Sequence, residues 1–305
     1  MSTIYQRTLK NTIRATGIGL FSGAKVIVTL RPAPVNAGIV FRRVDLEPPV
    51  AIPALVRHVG DTPLATTLVS GNVRITAIEH LMAAFAGLGI DNVCVDVDAA
   101  ELPIMDGSAA PFVFMLQSAG IVDQDAPKKF IRILEETVAT DGDTEVRLSP
   151  YDGFRVGYTL LDDHPVLRKH TKTASLDFSS TTFLKEVSRA RTFALLVDLA
   201  KMRKTEPVGG GSLDHVIVID DVCVLNEGGL RHEDEFVKHK ILDAIGDLYL
   251  LGHSVLGAFS GHKSGHASNS ALLRRVLANP RAWEIGTFED VRGAHPGSFA
   301  RPVFG

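Results

Sequence analysis

The chain is poor in cysteine, with two in 305 residues. Cys94 and Cys223 each lie within a short apolar run, Asn-Val-Cys-Val and Asp-Val-Cys-Val. A small secreted scaffold held together by disulfides would need more cysteines than this. We therefore expect both to be buried free thiols in strands, rather than a disulfide or metal ligands.

The chain also lacks long apolar runs and long basic runs. No stretch approaches the roughly 20 apolar residues that cross a bilayer, and residues 1–10 contain no apolar signal-peptide core. The 32 basic and 35 acidic residues give a net charge of −3, which does not favour nucleic acid as a partner. These absences predict a cytoplasmic protein with no integral membrane segment.

What the chain does have is enough apolar sequence, 45%, for well-packed cores. Its length predicts about two domains of roughly 150 residues each. The polar segment Asp123–Pro127 looks like the junction, which gives predicted domains at 1–126 and 127–305. Each half contains strands, then a helix that begins near a histidine, then a strand and a second helix. This order predicts an α+β fold made of a duplicated unit, whose two central helices could face each other.

The spacing of apolar residues places these elements along the chain. Alternation predicts strands at 25–30, 39–44, 65–69, 92–97, 130–134, 145–148, 154–158 and 254–259. Helical spacing predicts helices at 76–87, 111–119, 233–251 and 269–277.

The most informative stretch lies within the third of these helices, from Phe236 to Asp247. At about 100° per residue, its polar residues fall on one stripe and its apolar residues on the other. His239 and Asp243, at positions i and i+4, can reach one divalent ion from the same side. The alternative is a solvated helix face with ordinary ion pairs.

Glu79 and His80 lie near the start of the first central helix. Thr76–Glu79 fits a capping box, in which the glutamate would bond back to the amide of Thr76. The functional alternative is that His80 binds a metal while Glu79 takes a proton from water. Small residues on the histidine side of the helix would let another element pack close: Ala83, Ala84 and Gly87.

His266 follows Ser264-Gly265 in a predicted loop before the last helix, where a histidine is usually a surface group. Asp247 lies one turn beyond Asp243 and could orient and charge His266 if the loop folds back. Together these residues supply two histidines and one carboxylate for a metal, with a base and an acid nearby. These are the components of a catalytic metal site with an open coordination position.

Seven segments resemble the motifs of the UDP-3-O-acyl-N-acetylglucosamine deacetylases of Gram-negative bacteria. They are Ile78–Leu81, Ala86–Asn92, Pro103–Ser108, Ser188–Phe193, Val224–Glu227, Asp234–Leu248 and Lys263–Ala267. The resemblance runs from about Thr8 to Asp290, and the segment around His239 is its most specific part.

This resemblance implies a hydrolase that removes acetate from a UDP-linked, 3-O-acylated N-acetylglucosamine, the committed step of lipid A synthesis. It implies that Zn²⁺ is held by His80, His239 and Asp243, with Glu79 as general base. The implied fold is two similar α+β domains forming a sandwich, with the central helices between two sheets. Each domain carries an insert, and the second, near 189–220, forms the acyl-chain passage; the enzyme is expected to be a monomer.

The resemblance also implies roles for residues that spacing alone does not single out. His266, paired with Asp247, would be the general acid, and Thr192 would help to hold the oxyanion. The implied substrate-binding residues are Lys240, Phe193, Leu64, Asp198 and Lys263.

Some positions depart from the family pattern, notably Phe21, Asp162, Val197 and His262. They leave open a related zinc amidohydrolase with altered substrate specificity. A third hypothesis is a binding protein that keeps the fold and the zinc but has lost catalytic activity. The presence of Glu79, Asp247 and His266 argues against it.

Overall fold

The computed structural model describes residues 4–62, 64–161, 164–199 and 212–287. The predicted α+β class is confirmed: several β-sheets pack with a few helices. Elements of the first half are β1 (Tyr5–Leu9), β2 (Ile13–Ile18), β3 (Lys25–Pro32), β4 (Ile39–Arg43), β5 (Val50–Pro53), β6 (Leu68–Ser70), β7 (Val73–Ile75), α1 (Glu79–Leu88), β8 (Val93–Val97) and α2 (Ala110–Ala119).

The second half repeats the plan with additional strands. Its elements are β9 (Ile121–Pro127), β10 (Phe130–Ile133), β11 (Thr137–Asp141), β12 (Thr144–Ser149), β13 (Phe154–Thr159), β14 (Thr173–Asp177), β15 (Phe193–Leu195), β16 (Ile217–Ile219), α3 (Glu235–Leu248), β17 (Ser254–His262), α4 (His266–Ala278) and β18 (Trp283–Gly286). Short helical turns occupy Val56–His58, Leu167–Lys169, Ser180–Thr182 and Tyr249–Leu251, and Phe183–Val187 forms a π-helical turn.

The two halves share one sheet topology. In the first half the order is β2-β3-β8-β4-β5, with β8 antiparallel to β3 and parallel to β4. In the second half β17 is likewise antiparallel to β12 and parallel to β13, with β11 and β14 outside them. In each half a helix precedes the central strand and another follows it. The duplicated unit expected from the element order is therefore present in the strand pairing.

The two central helices, α1 and α3, pack directly against each other. Small residues allow this approach, because a Cβ on Gly246 would lie 2.1 Å from the carbonyl oxygen of Glu79. Gly87 of α1 is similarly covered, with a Cβ there falling 2.2 Å from the ring of Phe183. Most of the buried apolar residues of both halves form one continuous core around these helices, and smaller clusters lie apart from it.

Several sequence predictions need correction. The polar segment 123–127 lies within strand β9, which pairs with β1; the domain boundary itself stays a prediction. Residues 65–67 are not in a strand, and the last helix begins at His266 rather than 269. Cys94 is half-buried in β8, but Cys223 is exposed outside any strand, so the prediction of two buried strand thiols was wrong for Cys223.

Within the described residues, no helix has the length and apolar character to cross a membrane.

Candidate metal centre

Three side chains from the two central helices converge at one point. His80 extends from the first turn of α1, and His239 and Asp243 extend from successive turns of α3. Their candidate ligand atoms all lie within 4.8 Å of one another, and all three residues are buried. Nε2 of His239 lies 3.3 Å from Oδ1 of Asp243, and Nε2 of His80 lies 3.6 Å from the same oxygen.

The hydrogen bonds around this cluster fit a cation. Nδ1 of His239 lies 3.0 Å from the carbonyl oxygen of Ala190, which orients Nε2 toward the cluster, as in metal-binding histidines. Oδ2 of Asp243 accepts a hydrogen bond from Nζ of Lys240 at 3.0 Å. Oδ1 of Asp243 is buried and accepts none in the described structure. A buried carboxylate oxygen without a donor, facing two imidazole nitrogens, suits a divalent metal.

The protonation states also suit a metal. Burial lowers the pKa of His239 to about 4, so its imidazole is neutral at pH 7. Burial opposes ionisation of Asp243, but the adjacent His239 and Lys240 outweigh it and hold its pKa well below the usual value. Metal ligation requires a neutral imidazole and an ionised carboxylate, and these shifts provide both at His239 and Asp243.

Glu79 lies beside His80 at the start of α1, but it does not form the predicted capping box. Helix α1 begins at Glu79 rather than near Thr76, with no side-chain cap. Instead Oε2 of Glu79 accepts a hydrogen bond of 3.0 Å from the backbone amide of Thr66. Burial raises the pKa of this glutamate. A carboxylate with a raised pKa is better able to accept a proton near neutral pH.

His266 lies next to Glu79 in the site. Its Nε2 lies 4.0 Å from Oε1 of Glu79, and its Nδ1 lies 2.9 Å from Oδ2 of Asp247. Burial disfavours the charged imidazole, but Asp247 and Glu79 overcome this and raise the pKa of His266 to about 9. His266 is therefore an imidazolium at neutral pH, not the exposed loop histidine of the alternative prediction.

Sequence reasoning missed two residues of this arrangement. The hydroxyl of Thr66 lies 2.5 Å from Oδ1 of Asp247, and the amide of Asn269 donates to Oδ2 at 2.9 Å. Both are buried, and neither belongs to a motif with chemical meaning. No sequence signal indicates that Thr66 lies beside Asp247, because the contact joins residues 181 positions apart.

The segment that carries Thr192 is fixed by an ion pair. The guanidinium of Arg191 donates to both carboxylate oxygens of fully buried Glu235, at 2.8 and 3.0 Å. The backbone amide of Thr192 donates to the carbonyl of Gly107, at 2.8 Å. These contacts hold the carbonyl of Ala190 against Nδ1 of His239, and they hold Thr192 at the wall of the site.

A cavity of about 250 Å³ adjoins the cluster. Of the predicted substrate-binding residues, its lining includes Leu64, Phe193, Lys240 and Lys263. Asp198 is exposed and does not line it. Apolar side chains cover part of the wall: Leu20, Leu64, Ile104, Leu160, Leu161 and Phe193. Asp162 and the central part of the predicted passage, 200–211, lie outside the described residues.

Comparison with known proteins identifies the family. Residues 6–278 match the family model described as UDP-3-O-acyl N-acetylglycosamine deacetylase. Proteins named UDP-3-O-acyl-N-acetylglucosamine deacetylase are 61% identical in Thioalkalivibrio sulfidiphilus, 60% in Pseudomonas entomophila and 59% in Hahella chejuensis. Each similarity spans 300 residues, covering 98% of this chain and 99% of the relative. The chain belongs to the UDP-3-O-acyl N-acetylglycosamine deacetylase family.

Proposed function

We propose that this chain is a zinc-dependent UDP-3-O-acyl-N-acetylglucosamine deacetylase, which releases acetate in the committed step of lipid A synthesis. One observation carries the proposal. His80 of one half meets His239 and Asp243 of the other, and Glu79 and His266, whose side chains lie 4.0 Å apart, line the same cavity. This arrangement occurs in a chain about 60% identical, end to end, to proteins of that name.

His80, His239 and Asp243 would hold the Zn²⁺ ion, and three protein ligands leave a coordination position open. When bound, Zn²⁺ supplies a Lewis acid that lowers the pKa of water to about 7 and favours negative charge on the carbonyl oxygen. Neither Cys94 nor Cys223 belongs to the cluster, which argues against a closed structural zinc site.

Glu79 is the general base of the proposed reaction. Hydrolysis forms a bond from the water oxygen to the acetyl carbon, so the water must lose a proton as it attacks. The amide of Thr66 holds one carboxylate oxygen of Glu79, which fixes the direction of the other. That second oxygen, Oε1, lies on the His266 side of the site and receives the proton.

His266 is the general acid. The amide C–N bond breaks readily only when the departing nitrogen takes up a proton, because a free amide anion is a poor leaving group. With a pKa of about 9, His266 carries a proton at neutral pH. Asp247 holds Nδ1, so Nε2 is the nitrogen that faces the reacting amide. The products are acetate and the free 2-amino sugar.

The cavity wall supplies the remaining contacts. Thr192 lines the cavity near the metal ligands and would donate its hydroxyl to the developing oxyanion. Lys240 and Lys263 bring positive charge to the same cavity, which suits the diphosphate of a UDP-linked sugar. Phe193 and Leu64 belong to its apolar wall, which suits the start of an acyl chain. Asp198, if it binds substrate, must do so outside this cavity.

The direct test is acetate release from UDP-3-O-acyl-N-acetylglucosamine by purified protein, with UDP-N-acetylglucosamine as the matched substrate without an acyl chain. We expect rapid release from the acylated compound only, loss of activity with a chelator, and recovery on adding Zn²⁺. Failure to release acetate from the acylated compound with zinc bound would contradict the proposal. Activity on a different amide in that case would favour the related amidohydrolase.

A further inference from the structure

We propose that Thr66 is a positioning residue for the deacetylation, acting on the acid and on the base through two different groups. Its hydroxyl contacts the Asp247–His266 pair, and its backbone amide contacts Glu79. This inference rests on the proposed function, because it takes His266 and Glu79 as the reacting pair.

The hydroxyl of Thr66 completes a closed set of hydrogen bonds. It lies 2.5 Å from Oδ1 of Asp247 and 3.1 Å from Nδ1 of His266. Asn269 donates to the other oxygen of Asp247, Oδ2, which also faces Nδ1 of His266. Thr66 and Asp247 are both 0% exposed, so neither contact is shared with bulk solvent.

Proton counting fixes the direction of these bonds. Asp247 is an acceptor, so the single hydroxyl proton of Thr66 is donated to its Oδ1. The oxygen lone pair of Thr66 then faces Nδ1 of His266, as does Oδ2 of Asp247. Two acceptors around Nδ1 keep a proton there in both charge states of the ring. The proton that His266 exchanges is therefore the one on Nε2, toward Glu79 and the substrate.

The backbone of Thr66 extends this control to Glu79. Its amide donates to Oε2 of Glu79 at 3.0 Å, and its carbonyl accepts from the amide of Ile78, at the start of α1. One residue thus sets where the base carboxylate lies and which ring nitrogen the acid presents. A side chain that lacks the hydroxyl should leave the substrate-binding wall intact, but it should misorient His266 relative to the leaving amine.

The test compares Thr66→Val, which removes the hydroxyl at nearly constant volume, with Thr66→Ser, which keeps it. The matched control is Thr67→Val, at an adjacent buried threonine whose hydroxyl contacts Ala65 and Thr76 rather than the site. We expect Thr66→Val to lower kcat about 10- to 100-fold with KM within about twofold, as for a lost orienting contact. Thr66→Ser should restore most of the rate, and zinc content should be unchanged in every variant.

A second readout does not depend on turnover. The Nδ1 proton of His266 should give a downfield resonance in the NMR spectrum of the zinc-loaded protein, shifted or lost in Thr66→Val and kept in Thr67→Val. If Thr66→Val does not fold, Thr66→Ala takes its place with the same expected outcomes. An unchanged kcat and an unchanged resonance, or equal losses in Thr66→Val and Thr67→Val, would overturn the proposal. Absence of acetate release by the unaltered protein would instead count against the proposed function, while the resonance would still report on Thr66.

Discussion

Gly246 and Glu79 lie so close that no side chain fits between their helices. A Cβ on Gly246 would lie 2.1 Å from the carbonyl oxygen of Glu79 and 3.1 Å from the amide nitrogen of Ala83. The contact is one turn from Asp243 on α3 and one residue from His80 on α1. The separation of the two helices, and with it the distance between the proposed metal ligands of the two halves, therefore depends on the absence of a side chain at Gly246.

Gly246→Ala should weaken zinc binding and destabilise the fold. Backbone atoms cannot yield as a flexible side chain does, so α1 and α3 must separate. Overpacking of this kind lowers the free energy of unfolding by about 1–3 kcal/mol. The higher helix propensity of alanine over glycine offsets at most about 1 kcal/mol of that loss. Chemical unfolding and zinc competition titration would measure both effects.

Gly157→Ala is the matched control for that substitution. A Cβ on Gly157 would meet Ser175 at 3.5 Å and Phe259 at 3.7 Å, both ordinary contacts. It should leave zinc affinity unchanged. Native zinc affinity in Gly246→Ala would show that the helix separation does not control the site.

Local patterns predicted most of the elements but not their long-range pairing. The alternation at 25–30 and 154–158 corresponds to β3 and β13, because one face of each strand packs against the core. The polar residues 123–127 suggested a linker, yet they lie in β9, which alternates half-buried and exposed residues against β1. Pairing with the start of the chain satisfies the backbone of that strand, and composition does not reveal it.

In the candidate site, too, local contacts could be predicted from the sequence and long-range contacts could not. The i, i+4 spacing predicted that His239 and Asp243 reach one point, because helix geometry is local. The partner of Glu79 was predicted wrongly: the sequence offered a local cap at Thr76, and the fold supplies the amide of Thr66 instead. The catalytic roles assigned to these residues stay predictions that single substitutions can test.

Asp243→Ala should lose zinc rather than only slow the reaction. The change removes one of the three proposed protein ligands, so affinity should fall by more than the 10- to 100-fold typical of groups that merely support a ligand. Elemental analysis after dialysis would measure the bound metal. Asp234→Ala, at an aspartate on the N-terminal side of the same helix that pairs with Lys238, should keep its zinc. Stoichiometric zinc in Asp243→Ala would contradict the ligand assignment.

Asp247→Asn should move the alkaline limb of the pH–rate profile to lower pH. As the proposed general acid, His266 would act in its protonated form, so activity should be lost as pH rises through its pKa of about 9. Burial lowers this pKa and the Asp247 carboxylate is the largest influence that raises it, so removing that charge must lower it. Profiles of kcat/KM against pH for both proteins would show the shift, and Asp177→Asn, an exposed aspartate paired with Arg155, serves as control. An alkaline limb at the same pH in Asp247→Asn would exclude His266 as the general acid.

Glu235→Gln should weaken zinc binding although the hydrogen bonds of the Glu235 carboxylate go to Arg191 and Arg231 and not to a proposed metal ligand. Its carboxylate is fully buried and accepts hydrogen bonds from the guanidinium and amide of Arg191 and the amide of Arg231. Neutralising it leaves the Arg191 charge without its counterion, which should cost about 2–4 kcal/mol in the free energy of unfolding. The carbonyl of Ala190, next in sequence to Arg191, would then hold Nδ1 of His239 less firmly.

That loss of orientation should reduce zinc affinity about 10- to 100-fold, the usual effect of removing support from a ligating histidine. Glu136→Gln provides the comparison, because its ion pair with Arg147 is exposed and its loss should change stability far less than the loss of the buried pair. Measuring zinc affinity and unfolding free energy in both variants separates two roles of the buried pair. A destabilised Glu235→Gln that binds zinc as tightly as the unaltered chain would mean that the pair supports the fold alone, and that the Ala190 carbonyl is held in place by its other neighbours.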